Sequence, residues 1–223
     1  MDAHLLTFAL AAVLTAAAGA ALHLRKRARV RGARGELFRD VAPLFTDAEV
    51  TQDDVGFPVL TGRRDAHRWR LEPLVDSLTF RKLPVLWLCV TCYADLDVPE
   101  PVSVLLRPVG NEFFSRNREY PHQLPLPAGC PEHARAASTS QDADAGHVLG
   151  PLTALLEEES TKEVTVSSRG ARVVYRLGEA DPGPYRVGRR TDLGAPVLAE
   201  THLTARCDAI AAAVRTHEAV RTP

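Results

Sequence analysis

The chain has 223 residues and a mass of 24.3 kDa, room for one sizeable soluble domain or two small ones. Hydrophobic residues make up 45% and charged residues 25%, which excludes disordered, collagen-like and polytopic membrane chains, and four cysteines exclude a disulfide-stapled mini-protein. The formal charge of −1 conceals a split: residues 1–34 hold six basic residues and one acid, so residues 35–223 carry about −6, a balance that argues against a nucleic-acid binder.

Residues 5–22 form an uncharged run of 18, eight of them Ala. As a helix this run spans roughly 27 Å, close to the hydrocarbon thickness of a bilayer. A signal peptide carries its positive charge before the apolar stretch; here the order is reversed. Arg25, Lys26, Arg27, Arg29, Arg31 and Arg34 follow the run, and the cytoplasmic flank of a span carries the Lys/Arg excess. The expectation is therefore an uncleaved transmembrane anchor over residues 1–24 and a basic juxtamembrane segment over 25–35. Residues 36–223 then form a cytoplasmic domain at the bacterial inner membrane. The basic segment is expected to face anionic headgroups, to which each basic residue contributes about 1 kcal/mol. Ala11, Thr15 and Gly19 place small residues at four-residue spacing, the geometry of a helix dimer, although an Ala-rich run produces such spacing by chance.

Past the basic segment, Leu37, Phe38, Val41, Leu44 and Phe45 form a helical stripe that Pro43 interrupts. Thr46 with Glu49 reads as a capping box opening a further helix. The period then changes to two. Residues 57–61 and 68–75 read as a hairpin across a polar connection. Residues 83–94 are apolar on both faces, as a central strand covered on both sides would be. Residues 102–107 add a short strand, and 108–147 form a long, proline-rich loop. Residues 148–159 show helical spacing. Residues 163–168 and 171–177 form a hairpin with its turn at Arg169–Gly170, 184–187 add an edge strand, and 196–221 carry an apolar helical stripe. The fold class expected is α+β: one soluble domain with a mainly antiparallel sheet flanked by helices, behind an N-terminal transmembrane helix.

Three groups of residues invite a chemical reading. Cys89-x-x-Cys92 with Cys130-x-x-His133 offers three thiolates and an imidazole, a tetrahedral zinc set. In a strand, however, residues i and i+3 point to opposite faces, which favours buried thiols acting as small apolar groups. Asp76 with Arg81 and Lys82 reads as a structural ion-pair cluster rather than an acid/base pair. The long loop collects Asn111, Phe113, Phe114, Arg116, Arg118, Tyr120 and His122, the residue types that concentrate in interface hot spots. Against that stands the plainer reading in which Phe113 and Phe114 only pin the loop to the core. The chain contains no Gly-x-Ser-x-Gly elbow, Walker loop or dinucleotide fingerprint, so no catalytic residue and no cofactor is assigned.

Leu60-Thr-Gly, Leu71-Glu-Pro-Leu-Val-Asp-Ser-Leu and Arg81-Lys-Leu-Pro-Val-Leu-Trp-Leu resemble a group of uncharacterised bacterial proteins with a single N-terminal anchor. The resemblance spans residues 56–115 and implies a bacterial inner-membrane protein without an attached activity. The functional expectation is a membrane-tethered, non-enzymatic module that binds a protein partner or a second copy of itself, and no nucleic acid. The alternatives are a metal- or thiol-dependent protein using the Cys/His set and an enzyme with a dispersed site.

Overall fold

A computed structural model describes residues 3–77, 83–110, 112–188, 191–194 and 196–218, with the side chains of residues 3–6, 9 and 187 outside that description. Helix α1 (Ala3–Gly35) leads through single helical turns at Glu36–Phe38 and Ala42–Leu44, the second of which contains Pro43, into strand β1 (Thr46–Thr51). Strands β2 (Val59–Arg64), β3 (His67–Asp76), β4 (Val85–Tyr93) and β5 (Val102–Leu105) follow, and the segment expected to be irregular holds β6 (His122–Leu124) and β7 (Arg135–Ser138). Helices α2 (Ala145–Leu149) and α3 (Thr153–Glu157) precede the hairpin of β8 (Thr161–Ser167) and β9 (Gly170–Glu179), and α4 (Pro182–Gly188) and α5 (Glu200–His217) complete the order.

The strands form one nine-stranded sheet in the order β1-β2-β3-β4-β9-β8-β5-β7-β6, and every neighbouring pair is antiparallel. The fold is thus α+β with a large antiparallel sheet and helices. One row of paired residues crosses the whole sheet: Val50, Leu60, Leu71, Val90, Val173, Val164, Val104, Ala136 and Leu124. It faces α5 and the 149–156 turns, and from Leu60 to Ala136 its members are fully buried. The adjacent row on the opposite face is Glu49, Thr61, Arg70, Thr91, Arg172, Thr165, Ser103, Ala137 and Gln123. Side chains alternate between faces with period two, so this register builds an apolar inner face and a polar outer face.

Three expectations change here. Thr46 opens an exposed edge strand rather than capping a helix, because β1 takes its hydrogen bonds from β2. Pro184 belongs to helix α4, not to an edge strand; proline suits a first helical turn, where its missing N–H costs nothing. Strand β4 is covered on both sides over only part of its length: α5 covers its inner face and residues 106–124 cover Trp87 and Cys89 on its outer face, while outer Tyr93 remains 41% exposed.

Helix α1 is continuous over 33 residues, about 50 Å, so the basic segment is helical. Its faces divide the charges. Arg27 pairs with Asp54 at 2.5 Å, Arg34 donates to the Val55 carbonyl at 2.6 Å, and Gln52 donates to the Arg31 carbonyl at 3.0 Å. Residues at i, i+4 and i+7 share a face, so Arg27, Arg31 and Arg34 dock on the 52–57 loop while Arg25, Lys26 and Arg29 turn elsewhere. Lys26 and Arg29 border residues 191–194. Among the described residues no helix is long and apolar enough to cross a membrane. The apolar run 5–22 lies partly outside the described side chains.

Candidate functional site

The outer face of the sheet is half covered. Residues 106–124 cross it over β4, β9, β8 and β5, held by polar groups that the strands bring together. At the loop entry Arg107 turns into a left-handed conformation (φ 47°), and its guanidinium donates to the Glu159 carbonyl at 2.8 Å and to the Thr161 carbonyl. Lys162 donates to the Arg107 carbonyl at 2.7 Å and pairs with Glu112 at 3.1 Å, with both side chains buried. Burial alone would raise the Glu112 carboxyl, but the Val109 N–H at 2.6 Å and Lys162 outweigh it and hold it below its ordinary range. A cavity of about 260 Å³ lies beside this entry, bordered by Trp87, Val109, Arg107 and Arg176.

Farther along, Phe114 is buried against Trp87, with ring centroids 5.8 Å apart, beside Cys89 and Val174. Arg172 donates to the Phe114 carbonyl at 2.8 Å and to the Cys89 sulfur at 2.9 Å. Glu163, on β8, is 2% exposed and accepts from Ser103 at 3.0 Å and from Ser115 at 2.5 Å. Asn117 is fully buried. Its amide donates to Ser103 and to the Arg135 carbonyl at 3.0–3.1 Å, while Arg135 returns a bond to its side-chain oxygen at 2.8 Å and a second guanidinium nitrogen reaches the Tyr120 carbonyl. Buried polar groups matched in this way cost little, whereas one left alone costs about 1–3 kcal/mol; in this cluster the second Glu163 oxygen has no hydrogen-bond partner, with Arg172 4.0 Å away.

Burial dominates the electrostatics of this cluster. Burial raises the Glu163 carboxyl above its ordinary range, against the lowering effects of Ser115, Arg172 and Ser103. Burial likewise pushes the Cys89 thiol up, with Arg172 opposing, so the thiolate form is disfavoured. The Glu163 shift has a definite sign. The native chain holds this proton more tightly than the unfolded chain, so the contribution is full below about pH 4.3 and is lost as pH rises through the raised native value. Glu163→Gln is therefore expected to flatten the rise of urea stability on acidification from neutral pH. A wild-type slope in the variant would contradict this assignment.

The residues singled out in the loop separate into two sets. Phe114 pins the loop, and Tyr120 and His122 are half buried. Phe113 packs edge-on to Phe114 at 5.4 Å and stays 49% exposed. Arg116 and Arg118 are exposed, Arg116 sharing a surface pair with Glu119 at 2.8 Å. Asn111, Arg81 and Lys82 lie outside the described residues.

The structure does not bring the Cys/His set together. Cys89 is on the outer face with Phe114, and Cys92 is on the inner face in the main core, where burial pushes its thiol up to about 12. Cys130 is half buried against that core, and His133 is exposed. Among the described residues no group of three or more His, Cys, Asp or Glu is placed to hold a metal ion. His217 is a core residue whose ring nitrogen lies 3.0 Å from the Val148 carbonyl. The pinning residues Glu112, Ser115, Asn117, Arg135, Glu163 and Arg172 are absent from the sequence reading, because the Glu163 partners Ser115 and Ser103 are 48 and 60 positions away.

No family model matches the chain, and no curated protein matches it. Among solved structures it is similar to the mycobacterial trehalose monomycolate transport factor A, TtfA, with 12% sequence identity, a TM-score of 0.41, and coverage of 83% of this chain and 90% of that one.

Proposed function

We propose that the chain is a non-enzymatic, membrane-tethered module that binds a protein partner through the 106–124 loop, with its folded domain on the cytoplasmic side. The observation that carries this reading is the contrast within the loop. Buried Asn117 and Glu163 fix its backbone, yet Phe113, Arg116 and Arg118 point outward without serving the core. Preorganised aromatic and arginine side chains bind at low entropic cost. Arg25, Lys26 and Arg29, on the helix face turned away from the 52–57 loop, fit anionic headgroups, and the uncharged run before them fits the bilayer core.

The test is co-purification from native membranes with an affinity-tagged full chain. Phe113→Ala with Arg116→Glu and Arg118→Glu is expected to lose a partner that the wild type retains, with an unchanged melting temperature; retention of every partner would overturn the loop reading. Alkaline carbonate extraction is expected to leave the full chain in the membrane pellet, and release into the supernatant would overturn the anchor.

A further inference from the structure

The half of the outer face that the loop leaves open carries its own pattern, independent of the loop. Thr46, Arg63, Arg68, Tyr93 and Gly170 pair across β1, β2, β3, β4 and β9. Arg169, in the β8–β9 turn, lies at the end of that row. Together with Asp95 and the His67–Glu218 pair, Arg63, Arg68, Tyr93 and Arg169 line one open groove of about 790 Å³. All four are exposed. The Arg68 guanidinium stacks 5.7 Å from the centroid of the Tyr93 ring, and Arg63 donates to the Ala66 carbonyl at 3.0 Å. Among the described residues none of these three arginines has a carboxylate within 4.0 Å, whereas Arg64, Arg70 and Arg176 each do. Three guanidinium groups gather around an exposed tyrosine and outnumber the two carboxylates of the groove, Asp95 and Glu218, of which Glu218 is taken up by His67.

We infer that this groove binds an acidic peptide segment of a protein partner, its carboxylates meeting Arg63, Arg68 and Arg169 and its backbone lying over Tyr93. Guanidinium groups match carboxylates bidentately. Two observations favour a peptide over other polyanions. Asp47 and Asp95 stand beside the arginines, so a continuous polyanion such as nucleic acid meets repulsion where a short acidic segment ends. The arginines are also at the far end of the strands from the 52–57 loop, to which α1 docks. Strand β2 separates the two ends by six residues, roughly 20 Å, so the headgroups approached through α1 are reached by Arg25, Lys26 and Arg29 instead.

The test uses the full chain in neutral phosphatidylcholine nanodiscs and a fluorescein-labelled decapeptide of alternating Glu and Ser, read by anisotropy. The Glu peptide is expected to bind at least tenfold more tightly than its Gln counterpart, and to weaken with added salt. Arg63→Glu with Arg68→Glu is expected to weaken it by roughly tenfold or more per arginine. Arg186→Glu, an exposed residue of α4, is expected to leave it unchanged. Should the charge reversals lower the melting temperature, Arg63→Gln with Arg68→Gln gives the same loss in smaller measure. Equal binding of the Glu and Gln peptides, or unchanged binding in the arginine variants, overturns the inference. Tighter binding of an oligothymidine or of glycerol 3-phosphate, lost in the same variants, also overturns it and assigns the groove to phosphate.

Discussion

Asn117→Ala is expected to destabilise the domain by about 3 kcal/mol and to free the loop. Asn117 is fully buried, and its amide is where β5, β7 and the loop meet through Ser103 and Arg135. Alanine removes the donor to the Ser103 and Arg135 carbonyls, while Arg135 keeps only the residue 117 backbone carbonyl of its two acceptors there, at about 1–3 kcal/mol for each buried group left alone. For a chain of this size the loss corresponds to a fall in melting temperature of roughly 6–12 °C. Trypsin is expected to cut the variant at Arg116 and Arg118 under conditions in which the wild-type loop resists. An unchanged melting temperature would mean that the buried network does not hold the loop, and the fixed display of Phe113 would lose its basis.

Gly170→Ala has a larger expected effect and a different cause. Gly170 opens β9 at φ 127°, a conformation that residues with a Cβ rarely adopt. A Cβ there would stand 2.0 Å from the Cys92 carbonyl oxygen and 3.0 Å from the Ala94 nitrogen, both backbone atoms. Backbone cannot rotate out of the way as a side chain can, so β4 and β9, the central pair of the sheet, must separate at that end. The expected cost is about 4 kcal/mol or more, in the range reserved for specific steric failures. Gly178→Ala is the matched control on the same strand, since a Cβ there meets no atom within 4 Å, and it is expected to change stability by less than about 1 kcal/mol. Similar melting temperatures for the two variants would contradict the close approach of the hairpin to β4.

Several parts of this architecture are legible in the sequence because their signals are local. The alternation in 68–75, 163–168 and 171–177 identifies β3, β8 and β9, since period two marks a face whichever strand pairs with it. The stripe through Leu203, Cys207, Ile210, Val214 and His217 identifies the buried face of α5. Gly170 marks the hairpin to within a residue. The same local logic misleads at Thr46. Thr46 and Glu49 have the spacing of a capping box, yet Thr46–Thr51 is a wholly exposed edge strand, and its pairing with β2 is information held 17 residues away in Arg63. Strands β6 and β7, three and four residues long, are too short to carry a period and exist because β5 offers β7 an edge.

The candidate surfaces divide in the same way. Phe113, Arg116 and Arg118 could be picked out as aromatic and arginine side chains in a long loop, since residue type and loop context suffice for that. Their fixation by Asn117 and Glu163 could not, because a Glu and a Ser separated by 48 or 60 positions show no periodicity that relates them. The arginine groove is the clearest case. Arg63, Arg68, Tyr93 and Arg169 carry no shared signal where each stands in the chain, and they line one groove because antiparallel register pairs the first three in a row and sets the β8–β9 turn beside it. Composition and period determined which residues are inside and which elements form; register and the loop's path over the sheet decided which polar side chains meet, because those contacts depend on strand pairing across the whole chain.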